Sequence, residues 1–180
     1  QGVVIQGIAG AVRRHPLAAT LLSRTQGVNE RVARWTDAAT GVQCKGRLDR
    51  VCKVYVGDAG ETDLMVVDLK TAADASQHGF QRALAGGYWR QAVHYQAGVR
   101  AVVGREPRFI FVVCETAPPF AVGVWEMSAA EQQAAEQRYR RELEAFARCL
   151  RDDDWPGYTP DLEPGTITLP LWWHRQEQGD

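Results

Sequence analysis

The stretch Leu64-Met65-Val66-Val67-Asp68-Leu69-Lys70 decides how this chain is read. Four apolar residues in succession predict a strand buried on both faces. The strand closes on an acid and a lysine two positions apart, and residues i and i+2 of a strand share one face. A charge at the end of a buried strand needs a partner or a metal. Nineteen positions earlier (68 − 49), Asp49 closes Lys45-Gly46-Arg47-Leu48-Asp49. Residues 51–56, then the turn-rich Gly57-Asp58-Ala59-Gly60-Glu61-Thr62-Asp63, predict a hairpin between the two acids. Such a hairpin carries Asp49 and Asp68 to the same end of a sheet, with Lys70 beside Asp68.

Those residue types suit phosphodiester hydrolysis. A hard cation such as Mg2+, with Mn2+ as the alternative, takes oxygen ligands: one or two carboxylates, with waters and substrate phosphate. Asp49 and Asp68 supply the carboxylates, and the carbonyl of Leu69 offers a third oxygen. Lys70 is placed to orient or deprotonate an attacking water and to offset charge on the phosphorane. An Asp-x-Lys tripeptide on its own is more often an ordinary ion pair at a strand end. The buried strand in front of it is what favours the metal reading.

Downstream, Thr71-Ala72-Ala73-Asp74-Ala75-Ser76 predicts a loop with an N-cap at Asp74 or Ser76, followed by a helix over residues 88–103. Tyr88, Gln91, Ala92, Tyr95, Val99 and Val102 share one face of it. A glutamine on a core-facing stripe needs hydrogen-bond partners. Gln91 either borders the core or reaches the metal-bound water, a phosphate or the Lys70 region.

Together, Lys45-Gly46-Arg47-Leu48-Asp49-Arg50, Val67-Asp68-Leu69-Lys70-Thr71 and Gly87-Tyr88-Trp89-Arg90-Gln91-Ala92-Val93-His94-Tyr95 resemble the PD-(D/E)XK nuclease superfamily. They are most similar to its RecE-type (exonuclease VIII) and RecB-type branch, marked by Gly-x-x-Asp, Asp-x-Lys and Gln-x-x-x-Tyr in that order. The likeness extends to Arg14-His15-Pro16-Leu17-Ala18, Phe111-Val112-Val113-Cys114-Glu115 and Trp155-Pro156-Gly157-Tyr158. The resemblance implies a restriction-endonuclease-like α/β core and metal ligands at Asp49 and Asp68. It implies catalytic roles for Lys70, Gln91 and Tyr95. It further implies 5′-to-3′ digestion of double-stranded DNA ends, a single-strand annealing partner in phage or prophage recombination, and a homo-oligomer. The alternatives are another DNA-processing endonuclease of the superfamily, or a degenerate DNA-binding scaffold; the intact acid–acid–lysine set argues against the latter. Leu48 stands where the superfamily has proline. The branch also carries an upstream metal-contacting histidine in a Gly-x-x-x-His setting that is not found here. The chain begins Gln1-Gly2-Val3, and the expectation is a nuclease domain spanning residues 1–180 with that segment upstream. His15, before Pro16, is read as structural.

Bulk properties agree. At 180 residues, 45% hydrophobic with six tryptophans, the chain can bury a core as one domain. No apolar run approaches the roughly 20 residues of a membrane span, and a cytoplasmic, non-membrane protein is expected. A formal charge of −1 argues against indiscriminate DNA coating but leaves room for a local basic channel. Lys45, Arg47, Arg50, Arg82 and Arg90 are the candidates to track phosphates. Cys44, Cys52, Cys114 and Cys149 lack the spacing of a zinc site or an iron–sulfur cluster and read as reduced thiols.

The remaining elements complete a mixed sheet flanked by helices. Residues 7–23 predict a helix packing Ile8, Val12, Leu17, Leu21 and Leu22, with Pro16 breaking or starting it. Strands are expected over 30–36, 42–49, 108–115 and 121–127, and Ser128-Ala129-Ala130-Glu131 caps a helix to about Leu150. Glu30 is a possible supporting acid near Asp49, and Glu115 either points at the site or pairs with an arginine. Asp152-Asp153-Asp154 reads as a solvated helix end, and Trp172 and Trp173 as residues that pack on the body or on another subunit.

Overall fold

The structure is a computed structural model that describes residues 2–23, 27–56, 61–158, 164–171 and 173. Two compact units divide the chain, residues 1–147 and residues 148–180. In the first, helices α1 (Gly2–Arg14) and α2 (Pro16–Leu21) precede strands β1 (Gly27–Thr36), β2 (Gln43–Val56) and β3 (Glu61–Ala72). Helix α3 (Gln77–Ala83), a turn kinked at Gly87 (Leu84–Tyr88) and α4 (Trp89–Val103) lead to β4 (Arg108–Glu115), β5 (Val122–Trp125) and α5 (Ala129–Asp152), whose last residues belong to the second unit.

The strands form one mixed sheet in the order β1-β2-β3-β4-β5, antiparallel except for the parallel pair β3 and β4. The two apolar runs occupy its centre. Val66 and Val67 of β3, and Phe111, Val112 and Val113 of β4, are buried because both sheet faces are covered. Leu64, Val66, Phe109, Phe111 and Val113 pack with Phe80, Ala92 and Val99 on one face. Met65, Val67, Ile110, Val112 and Cys114 pack with Val12, Ala18 and Leu21 of α1 and α2 on the other.

Several expectations change in detail. Pro16 restarts the helix, with the His15 ring accepting from the Ala18 amide as N-cap. The restart shifts the helical phase, so Ala18 and Leu21 reach the core while Leu17 is left exposed. The predicted strands over 42–49 and 51–56 are one strand, β2, and the hairpin's turn, residues 57–60, lies outside the described residues. Helix α3 fills the stretch between the expected loop and the expected helix start, and its N-cap is Ser76, one of the two expected caps. Helix α4 is buried on two sides: Ala92 and Val99 against the sheet, Trp89 and Val93 against Ala135 and Tyr139 of α5. Val102, at its end, is exposed.

In the second unit, Arg151 pairs with Asp152, the Asp154 amide donates to the Cys149 carbonyl and the Trp173 amide to the Pro170 carbonyl. The acidic triplet is exposed, as a solvated helix end should be. Trp173 is half-buried, and Trp172 lies outside the described residues. No described helix is long and apolar enough to cross a membrane.

Candidate active site

The last paired rung of β2 and β3 sets Arg50 opposite Val67, so the next position in register sets Asp49 opposite Asp68. The hairpin therefore brings both acids together, as their spacing predicted, but at the point inside the sheet where β2 and β3 part and not at a sheet end, since β2 runs on beside β1 and β3 beside β4. Asp68 is only 1% exposed and lies among the core residues of the α4 face. The Gln91 side-chain amide, from α4, donates to Asp68 Oδ1 at 2.9 Å. Lys70 Nζ lies 2.6 Å from Asp68 Oδ2, as expected for residues sharing a strand face. That ammonium is out of hydrogen-bonding alignment, and Oδ2 is a buried oxygen that accepts no hydrogen bond. Asp49 Oδ2 accepts from the Leu69 amide at 3.3 Å.

Burial pushes the Asp68 carboxyl above the usual carboxylate range. The Lys70 ammonium and the Gln91 amide oppose that, and the nearby charge of Asp49 adds to it. A carboxylate dehydrated to this degree, with Oδ2 held by a lysine ammonium and no aligned hydrogen bond, sits where positive charge is favoured. Among the described residues no group of three or more His, Cys, Asp or Glu side chains is placed to hold a metal. Two carboxylates with main-chain oxygens and water nevertheless match what Mg2+ or Mn2+ takes, and a buried Oδ2 that accepts no aligned hydrogen bond supports the fit.

Tyr88 was read from the sequence only as core. In the structure the Lys70 ammonium lies 4.8 Å from the centre of its ring, and Phe80 of α3 stacks behind that ring at 5.9 Å. Its position one helical turn before Gln91 was the available signal. Tyr95 instead lies over β2, where a Cβ on Gly46 would come within 3.0 Å of its ring, and against Phe109. Glycine at 46 is what lets α4 settle this close to the strand.

The expected phosphate-tracking arginines separate. Arg47 is exposed and pairs with Glu30 at 3.1 Å, so Glu30 faces Arg47 rather than completing the acid pair. Arg82 is on the surface beside His78. Arg90 is held by both carboxylate oxygens of Glu142 and stacks on Trp89. Arg50 is a correction: it is 3% exposed and bonds to protein oxygens, so it cannot meet a phosphate. Glu115 does not enter the site and joins no arginine among the described residues; its carboxylate accepts from the Ala75 amide. A groove of about 470 Å³ beside Gln91 is lined by Lys45, Arg47, Arg90, His94 and Tyr95. His94 Nδ1 lies 2.7 Å from the hydroxyl of Tyr139, whose pKa burial pushes up to about 12.

A family described as "PDDEXK-like domain of unknown function (DUF3799)" matches residues 3–163. The chain belongs to that family. Its PDDEXK-like core is also similar to a crystal structure named "Putative exonuclease" from Eubacterium rectale, at 13% sequence identity and a TM-score of 0.58. That likeness, one of fold, takes in 98% of this chain and 65% of the other, so this PDDEXK-like chain spans just under two thirds of its neighbour's length. No curated protein matches it.

Proposed function

We propose that this PDDEXK-like chain is a divalent-metal-dependent deoxyribonuclease. The observation that carries the reading is the convergence of Asp49, Asp68 and Lys70 where β2 and β3 part, with Asp68 Oδ2 buried and accepting no aligned hydrogen bond. Asp49 and Asp68 would hold the cation. When bound, it would polarise the phosphoryl oxygen and neutralise charge in the transition state. Lys70, 2.6 Å from Asp68 and backed by the Tyr88 ring, is placed to orient a water and hold or pass its proton. Gln91 fixes the rotation of the Asp68 carboxylate through its bond to Oδ1. Lys45 and Arg47, exposed on the groove beside Gln91, would meet backbone phosphates.

The finer reading is a Mg2+-dependent 5′-to-3′ exonuclease of the RecE-like branch. It would act on double-stranded DNA ends in the cytoplasm, as a homo-oligomer working with a single-strand annealing protein. The order of the three sequence motifs supports it, as does the exonuclease named for the structural neighbour. The test is digestion of linear 5′-phosphorylated double-stranded DNA beside a closed circle, with Mg2+ or EDTA, for the wild-type chain and Lys70→Ala. Mg2+-dependent loss of the linear substrate alone, abolished by Lys70→Ala, is expected. Nicking of the circle would overturn the exonuclease reading in favour of an endonuclease. DNA binding without cleavage would overturn the enzyme reading.

A further inference from the structure

We propose that Arg50 is the positioning residue that sets Asp49 at the site, by forcing a break in strand alternation. Along β2, residues two apart should share a face. Leu48 packs in the α4-side core, yet Arg50 and Cys52 lie on the opposite side with α1 and α2. Val51 returns to the α4 side, so Asp49 is an extra step in the pleat. The partner strand breaks at the same rung. Ala33 faces the α4 side, Asn29 bonds to Arg50, and Glu30 between them has a φ of 53°. The pairs Asn29–Arg50 and Arg31–Leu48 on either side keep one register, so both strands change face together.

Arg50 is what holds the far side of that break. Its Nε donates to the Leu21 carbonyl at 2.6 Å, one terminal nitrogen to Asn29 Oδ1 at 2.8 Å and the other to the Ser23 carbonyl. A Cβ on Gly27 would meet that last nitrogen at 2.8 Å, so glycine there leaves the space the guanidinium fills. Among the described residues its partners are neutral groups, these oxygens and the Cys52 thiol, a costly way to bury a cation unless its place is needed. The guanidinium ties residues 29 and 50, the two neighbours of the kinked rung, to the end of α2. The Asp49 carboxylate is thereby left where β2 parts from β3, and it meets the Leu69 amide there.

This rests on the metal-site reading above, and the test separates the two. Mn2+ binding to the apo chain is followed by electron paramagnetic resonance, alongside circular dichroism, for wild type, Asp49→Asn, Arg50→Lys, Asn29→Ala and Val12→Ala. Arg50→Lys should weaken Mn2+ binding about tenfold or more, as expected when a residue supporting a metal ligand is lost. Asn29→Ala, which leaves the arginine, should weaken it less. Val12→Ala, a core truncation on the same sheet face, should lower the melting temperature and leave the affinity unchanged. Wild-type affinity in a folded Arg50→Lys would overturn the proposal, as would an equal loss in Val12→Ala. Should Arg50→Lys not fold, unchanged binding in Asn29→Ala overturns it. A wild-type chain that binds no Mn2+, or an Asp49→Asn that binds as well, overturns the site reading and this proposal with it.

Discussion

At the scale of single residues, Asp68 sets function against stability. Its pKa is raised because burial penalises the ionised form more than Lys70 and Gln91 favour it. The native state therefore holds this proton to higher pH than the unfolded chain does. Without metal, stability should fall as pH rises from the ordinary carboxylate range through the raised native value. Asp68→Asn removes that charge with little change of shape. It should raise the melting temperature by a few degrees in EDTA while abolishing cleavage, and thermal denaturation beside a DNA digestion checks both. An unchanged or lower melting temperature would mean that the ion pair with Lys70 outweighs the burial. Asp49, Asp68 and Lys70 were legible in the sequence because a buried strand ending in charges has few physical solutions. Arg50 was misjudged because a one-residue break in the pleat sends it to the opposite face, and no apolar period announces such a break.

Among the elements, α3 escaped the sequence reading because it is one short amphipathic piece with a single fully committed apolar residue, Phe80. Its sequence signal is the Ser76 cap, whose hydroxyl accepts from the Gly79 amide at 3.2 Å. Ser76→Ala should cost about 1 kcal/mol, measured by urea denaturation. Phe80→Ala should cost about 3–5 kcal/mol. It should also lower cleavage beyond what stability explains, since Phe80 supports the Tyr88 ring under Lys70. Cleavage at a temperature where the variant is fully folded by circular dichroism decides this. Helix α4 was predicted within a residue of its start, yet its burial was half seen. A stripe drawn for one contact surface cannot anticipate α5 covering a second.

For the molecule as a whole, the sheet's centre was the most legible part, because continuous apolar runs fit only interior strands. Three of the four free cysteines, Cys44, Cys52 and Cys114, are buried, and Cys149 is half-exposed. One thiol should react readily with an aromatic disulfide reagent in the native protein and all four in guanidinium; three fast native thiols would contradict this packing. What the sequence hid was cooperation between distant segments, nowhere more than at the rung of Glu30 and Asp49. Losing a single codon from either strand there would turn that strand inside out against its neighbour. Losing one from each would heal the sheet into an ordinary pleat and erase the acid. A deletion at one of these positions, nineteen codons apart, should therefore be rescued by a deletion at the other, as far as folding goes.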